Sequence, residues 1–321
     1  MRTSTIRRFL GIFVAIWVVM GASADAQPPC GPAPASPPAE PDFSKVEIKT
    51  VKISSNFYTL EGQQGRTGAL VGPDGVFLVD SQFAPLTEKI ATAIRQISDG
   101  RIRFLVNTHV HIDHVNGNEN FAKMGAVIMT RDELRTRLAQ GNCSAGGLVS
   151  VWRPPAPAIA LPVVTYRGPV TVHINGEDVQ LMPVPVAHTD GDTMVRFPVA
   201  DVLMTGDFFR SAGYPVIDRR NGGTLKGTLD ALDSVTNTIG PNTKVIPGHG
   251  AITDKAGVIA HRDMIISVRD RVAQLVRQGK TVEEVIAAKP TSDDDVRVPN
   301  ATPSSAEQFV RALFAELKGT R

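Results

Sequence analysis

His109-Val110-His111-Ile112-Asp113-His114 is the stretch on which the reading of the fold turns: three of the seven histidines in 321 residues fall within six positions, with a carboxylate among them. Neutral imidazoles and carboxylates are ligands of divalent metals such as zinc. The one-residue gap between His109 and His111 lets two rings converge on one ion from a short loop, leaving Asp113 and His114 to face a neighbouring ion. Before the run lies Ile102-Arg103-Phe104-Leu105-Val106, apolar and biased to β-branching; after it lies Asn116-Gly117-Asn118. The order predicts a buried strand, a tight loop and the start of a helix.

Four further segments have the same build: Gly75-Val76-Phe77-Leu78-Val79-Asp80, Ala187-His188-Thr189-Asp190-Gly191-Asp192, Val202-Leu203-Met204-Thr205-Gly206-Asp207 and Val245-Ile246-Pro247-Gly248-His249-Gly250. An apolar, strand-like run leads in each case to a ligand-bearing side chain. Loops at strand ends are where side chains from distant parts of a chain meet, and glycine lets backbones approach closely.

In this order the segments resemble the metallo-β-lactamase superfamily, over about residues 45 to 250. That resemblance implies an α/β fold, a four-layer αββα sandwich of two sheets between helices. It also implies a site with two zinc ions, Zn2+. One would take His109, His111 and His188; the other would take Asp113, His114 and His249; Asp207 would bridge them. Asp80 would stay off the metals and brace the loop bearing His109 to His114 by hydrogen bonds.

The other two histidines serve as controls. Alternation in Val170-Thr171-Val172-His173-Ile174 puts His173 on the polar face of a strand, and His261 falls in line with Val258, Ile265 and Val268 as a packing residue of a helix. Strands are expected at about 46 to 80 and 163 to 205, and helices at about 85 to 98 and 225 to 239. Apolar stripes over 254 to 278, 281 to 288 and 304 to 318 predict a C-terminal helical extension packed on a sheet. Residues 141 to 162 lack periodicity, and either overhang the site or form a mobile loop.

The N-terminus combines Arg7-Arg8, an apolar run from Phe9 to Met20 and Ala24-Asp25-Ala26, the parts of a signal peptide with cleavage after Ala26. The apolar run is shorter than the ~20 residues that span a bilayer, so the mature chain is expected to be exported, secreted or periplasmic, without membrane insertion. Residues 27 to 42 form a Pro/Ala-rich linker and 43 to 321 one domain. Removing residues 1 to 26 takes three arginines and one aspartate from a chain of net charge +2, leaving no excess charge. No basic run interleaved with aromatics remains, which argues against a nucleic-acid partner. Cys30 and Cys143 either pair or remain two free thiols.

The resemblance implies chemistry as well. Two adjacent zinc ions lower the pKa of a shared water towards ~7, so a metal-bound hydroxide opens an ester, lactone or amide of a small-molecule substrate. Asp113 is the catalytic candidate, orienting that hydroxide and later carrying a proton. Tyr214 is a candidate for substrate contact, its phenol polarising a carbonyl; in the lactonases of the family the phenol lies nearer the bridging Asp, where this chain has Arg210. His114 stands where the β-lactamase subclass with a Cys ligand has Arg, and Asp207 replaces that Cys. The ligand set is more similar to glyoxalase II, the lactonases and exported β-lactamase-like hydrolases, and the export signal disfavours glyoxalase II. β-Lactam hydrolysis and a non-catalytic metal- or partner-binding role are the alternatives. His111, where di-iron oxidoreductases of the fold have Glu, argues against iron redox chemistry.

Overall fold

The computed structural model describes residues 42–63, 65–146 and 149–319. One sheet contains, side by side, β1 (Lys49–Lys52), β2 (Phe57–Glu61), β3 (Arg66–Leu70), β4 (Val76–Val79), β5 (Ile102–Val106) and β6 (Val127–Arg131). Beyond a separate hairpin of β7 (Asn142–Gly146) and β8 (Val149–Arg153), β9 (Val164–Tyr166) completes that sheet next to β6. A second sheet runs β10 (Val170–Ile174), β11 (Glu177–Pro183), β12 (Thr193–Phe197), β13 (Val202–Gly206) and β14 (Lys244–Pro247).

The first sheet starts as an antiparallel meander and turns parallel from β4 through β5 and β6 to β9; in the second, only β13 and β14 are parallel. Parallel neighbours need crossovers, and helices supply them. They are α1 (Thr87–Arg95) before β5, α2 (Ile112–Val115) and α3 (Asn118–Lys123) before β6, α4 (Asp132–Gln140) before β9, and α5 (Leu225–Thr238) before β14. Then follow α6 (Lys255–Arg277), α7 (Val282–Ala287) and α8 (Pro303–Gly319). Side-chain caps start the later helices: Thr224 accepts from the Gly227 N–H, Asp254 from Gly257, and Thr281 with Glu284 forms a capping box.

Alternation along single strands builds the layers. In β4, Phe77 and Val79 face the second sheet while Val76 and Leu78 face Ile90 and Ile94 of α1. In β13, Val202 and Met204 point between the sheets, and Leu203 packs outward with Leu232 of α5, Ile265 and Val268 of α6, and Phe309 and Leu313 of α8. Strands apolar on both faces are what a sheet covered on both sides requires. The result is the four-layer αββα sandwich, with the C-terminal helices on the outer face of the second sheet.

The expected helices are present within a few residues at each end. His173 is exposed on β10, 2.6 Å from Asp178, and His261 packs edge-on against Phe209 at 5.2 Å. Residues 141–162, whose lack of periodicity predicted a loop, hold instead the β7–β8 hairpin and a short 3-10 turn, Ala158–Ala160. Helix α4 was not anticipated because only Leu134 and Leu138 are buried in it, too thin a stripe to stand out. Cys143 is buried and is not a free thiol; Cys30 and the signal and linker segments up to residue 41 lie outside the described residues.

Phe197 is fully buried between the sheets, its ring 4.5 Å from Phe57 and 6.2 Å from Phe77. Phe197→Ala leaves a cavity there and is expected to cost about 3–5 kcal/mol, read as a lower denaturation midpoint with an unchanged slope.

Candidate metal centre

Every chemistry-bearing loop leaves the same edge of the sandwich. Asp80 follows β4, His109 to His114 follow β5, His188 follows β11, Asp207 follows β13 and His249 follows β14. Two glycines make the approach possible. A Cβ at Gly248 would lie 1.9 Å from Asp207 Oδ1, and at Gly206, with φ of 58°, one would lie 2.6 Å from Thr108 Oγ1. The Asp207 carboxylate therefore lies directly against backbone.

The side chains form three overlapping groups: His109, His111 and His188; His109, His114 and Asp207; and Asp113, His114 and His249, with the ligand atoms of each group within 4.8 Å of one another. All seven residues singled out in the sequence come together. Asp207 lies between the outer groups, 3.5 Å from His114 Nε2, 3.2 Å from His249 Nε2 and 4.0 Å from His188 Nε2. Asp113 is 3.4 Å from His114 Nε2 and 3.0 Å from His249 Nε2.

Hydrogen bonds on the far side of each ring decide which nitrogen faces the cluster. Thr108 Oγ1 donates to Asp80 Oδ2 at 2.8 Å, so towards His109 Nδ1, 3.1 Å away, it acts as acceptor. His114 Nδ1 donates to Asp80 Oδ2 at 2.7 Å, and Asp80 Oδ1 accepts from the Thr108 N–H. The bracing position given to Asp80 is thus the one it occupies, with a φ of 64° that aspartate tolerates better than most residues. His188 Nδ1 donates to the Val216 carbonyl at 2.5 Å, and His111 Nε2 donates to Asp218 Oδ2 at 2.7 Å.

The rings of His109, His111, His114 and His188 each turn their other nitrogen inward. His188 Nε2 and His111 Nδ1 stand 2.9 Å apart, close enough for both to meet one cation. His109 Nε2, His114 Nε2 and Asp207 Oδ1 are buried with no hydrogen-bond partner. A buried polar atom left without a hydrogen bond costs about 1–3 kcal/mol, and three such atoms around one spot fit a bound ion. The donor set of imidazole and carboxylate suits two divalent metal ions.

Electrostatics differ between the two ends. Burial, with His111 beside it, pushes His188 down to about 4, and burial and neighbouring imidazoles also lower His109. Asp207, opposed by burial, raises His249 to about 9. Burial likewise opposes charge on His114, but Asp113 and Asp80 outweigh it and raise its pKa. Asp218 was missed in the sequence. Burial works against its charge, yet the hydrogen bond from His111 holds it at about 2. Its only sequence signal is an Asp directly before the turn Arg219–Asn221 that it caps, a common motif with no mark of a metal site.

Beside the cluster opens a cavity of about 630 Å³, walled by Arg210 and Tyr214 and by Asn300, Ser305 and Gln308 from the C-terminal segment. Tyr214 does not offer the free phenol expected of it. Its hydroxyl donates to Asp295 Oδ1 at 2.6 Å, and its ring stacks on Phe309 at 5.6 Å. Tyr214 ties the cavity wall to α8 instead of polarising a carbonyl.

A cation entering the Asp113, His114 and His249 end must displace protons there, since His249 holds one below about pH 9. Apparent metal affinity at this end is expected to rise with pH up to about 9 and to fall as pH drops below it. Calorimetric titrations in buffers of different ionisation enthalpy will count the released protons. Tyr214→Phe is expected to lower stability by about 0.5–1.5 kcal/mol, the loss of the hydrogen bond to Asp295, while metal stoichiometry is unchanged.

Comparison with known proteins agrees with this geometry. The pattern of the Metallo-beta-lactamase superfamily matches residues 61–249, more than half of the chain. A linear primary-alkylsulfatase of Pseudomonas sp. is 23% identical over 262 residues, which are 67% of this chain and 48% of that protein. The structure of a stereoselective inverting sec-alkylsulfatase from Pseudomonas sp. superposes with a TM-score of 0.64 at 16% identity, covering 83% of this chain and 50% of the other. The chain thus spans about half the length of either alkylsulfatase. A metallo-β-lactamase from Pontibacter korlensis superposes with a TM-score of 0.55 at 20% identity, over 68% of this chain and 99% of that one. With its fold, its strand-end ligands and more than half its length matching one pattern, the chain belongs to the metallo-β-lactamase superfamily.

Proposed function

We propose that this protein is a zinc-dependent hydrolase that opens an ester, lactone or amide in the cavity beside its two metal positions. The observation that carries this reading is the convergence of unpaired imidazole and carboxylate atoms at the floor of a cavity large enough for a small-molecule substrate. In the proposed allocation His109, His111 and His188 hold one ion, Asp113, His114 and His249 the other, and Asp207 lies between. Bound zinc supplies Lewis acidity and brings the pKa of a water towards ~7. Asp113, a fifth exposed at the rim of the cavity, is placed to orient the attacking water and to carry a proton to the leaving atom. Export of the mature chain from residue 27 onward is part of the same proposal, carried by residues 1–26.

A second reading narrows the ester to a sulfate ester. Two of the similar proteins are named alkylsulfatases, and Arg210 faces the cavity 3.7 Å from Asp207 with its Nε unpartnered. Two other arginines are engaged by backbone: Arg66 by the Pro247 and Gly250 carbonyls, Arg131 by those of Val184 and Asp192. A guanidinium with spare donors suits an anionic group on the substrate.

The test is turnover by the two-zinc protein of an aryl ester, a homoserine lactone, nitrocefin and an alkyl sulfate, with and without chelator. Turnover that chelation abolishes and zinc restores is expected for the first or the last. Two bound zincs with no turnover of any would favour a binding role. Asp113→Asn is expected to lower kcat by about 10²–10⁴ and to weaken one zinc. Arg210→Gln is expected to lower kcat/KM for an anionic substrate by roughly ten- to hundredfold, the loss of a charged hydrogen bond, and to spare a neutral ester.

A further inference from the structure

Beneath the three-histidine end lies a buried knot of hydrogen bonds centred on Asn221. Asn221 is fully buried and uses all of its side-chain donors and its acceptor. Its Nδ2 donates to Asp218 Oδ2 and to the Cys143 carbonyl of β7, both at 2.6 Å, and its Oδ1 accepts from Arg137 at 3.1 Å. Three partners of fixed polarity leave the amide a single orientation.

Arg137, reaching in from α4, also grips Asp190 through two bonds of 2.7 and 2.6 Å. Asp190 lies two residues after His188, and its N–H donates to the Asn221 carbonyl at 2.9 Å. The Asp218 N–H donates to the His188 carbonyl at 3.0 Å. Asp218 Oδ1 accepts from the N–H groups of Arg220 and Asn221 at 3.1 and 3.2 Å, while Oδ2 takes the His111 ring. One knot therefore fixes the ring of His111 and the backbone of His188, two of the three imidazoles that face one position. The other end of the centre is braced separately, through Asp80 on His114.

We propose that Asn221 and Arg137 are positioning residues for the three-histidine metal position: by holding Asp218 and the His188 loop, they set the affinity of one of the two ions and leave the other alone. The inference rests on reading the cluster as a metal centre. Loss of Asn221 leaves Asp218 Oδ2 with the His111 ring alone and frees that ring to tilt. Loss of Arg137 removes only the outer clamp on Asn221 and Asp190.

The test is titration of the metal-free full chain with cobalt(II) against a chromophoric chelator, reading d–d absorption as well as stoichiometry. Asn221→Ala is expected to weaken one ion by roughly ten- to hundredfold, as removal of outer-shell partners does elsewhere, with the other ion within about threefold of wild type. Arg137→Gln, at the half-exposed end of the knot, is expected to weaken the same ion by a smaller factor. Equal weakening of both ions in a folded variant marks a general structural role and overturns the proposal, as do unchanged affinities. Should Asn221→Ala not fold, Arg137→Gln decides alone by the same criteria. A wild-type chain that takes up no cobalt overturns the metal-centre reading and this one with it; two ions bound tightly in wild type and in both folded variants overturn this one alone.

Discussion

Imidazole nitrogens and carboxylate oxygens brought to one spot are the constraint from which the rest of the molecule is best understood. His188 Nε2 and His111 Nδ1 meet at 2.9 Å, with His109 Nε2, His114 Nε2 and a carboxylate oxygen of Asp207 buried close by and unpaired. Such an array, with carboxylates among its atoms, calls for positive charge within it, from a proton or from a metal ion. Its persistence in one geometry depends on groups behind it. Asp80, Thr108, Asp218 and the Val216 carbonyl each engage the far nitrogen of a ring, and each thereby turns the near one towards the cluster. The site is as much a set of proton placements as a set of ligands.

Topology explains how residues so far apart in sequence meet. Parallel strands bring the ends of β4 and β5 out at one edge of the first sheet, and the ends of β13 and β14 out at the matching edge of the second. Packing between the sheets through Phe57, Phe77 and Phe197 holds those edges in register. The bond from His111 to Asp218 then crosses from the loop after β5 to the turn before α5, so a ligand supplied by one half of the sandwich is oriented by the other.

Much of this was legible in the chain because it is written in rare residue types and regular periods. Histidine is scarce enough that His109, His111 and His114 identify themselves, and strand-end placement picks out His188, Asp207 and His249. Apolar periodicity found α5, α6 and α8. What escaped has ordinary chemistry in ordinary places. Asp218 and Asn221 look like any turn-capping pair, and Arg137 like any solvated helix residue; only the fold shows them stacked beneath a ligand. Tyr214 misled for the converse reason, since closeness in sequence to Asp207 does not say where a phenol points, and this one points to Asp295.

The division of labour along the chain bears on substrate. All the proposed metal ligands, and the match to the superfamily, lie at or before residue 249, whereas Asn300, Ser305 and Gln308 wall the cavity from the C-terminal segment. Tyr214 and the Gly213 N–H, bonded to Asp295 and to the Pro299 carbonyl, pin that segment against the site. Likeness over the shared core therefore speaks for the metals and the hydrolytic chemistry they support. Part of the cavity wall is thus built from residues outside that core, beside Arg210 and Tyr214 from within it. Two chains that share the core need not share that part of the wall, because α8 and the residues before it lie outside the match.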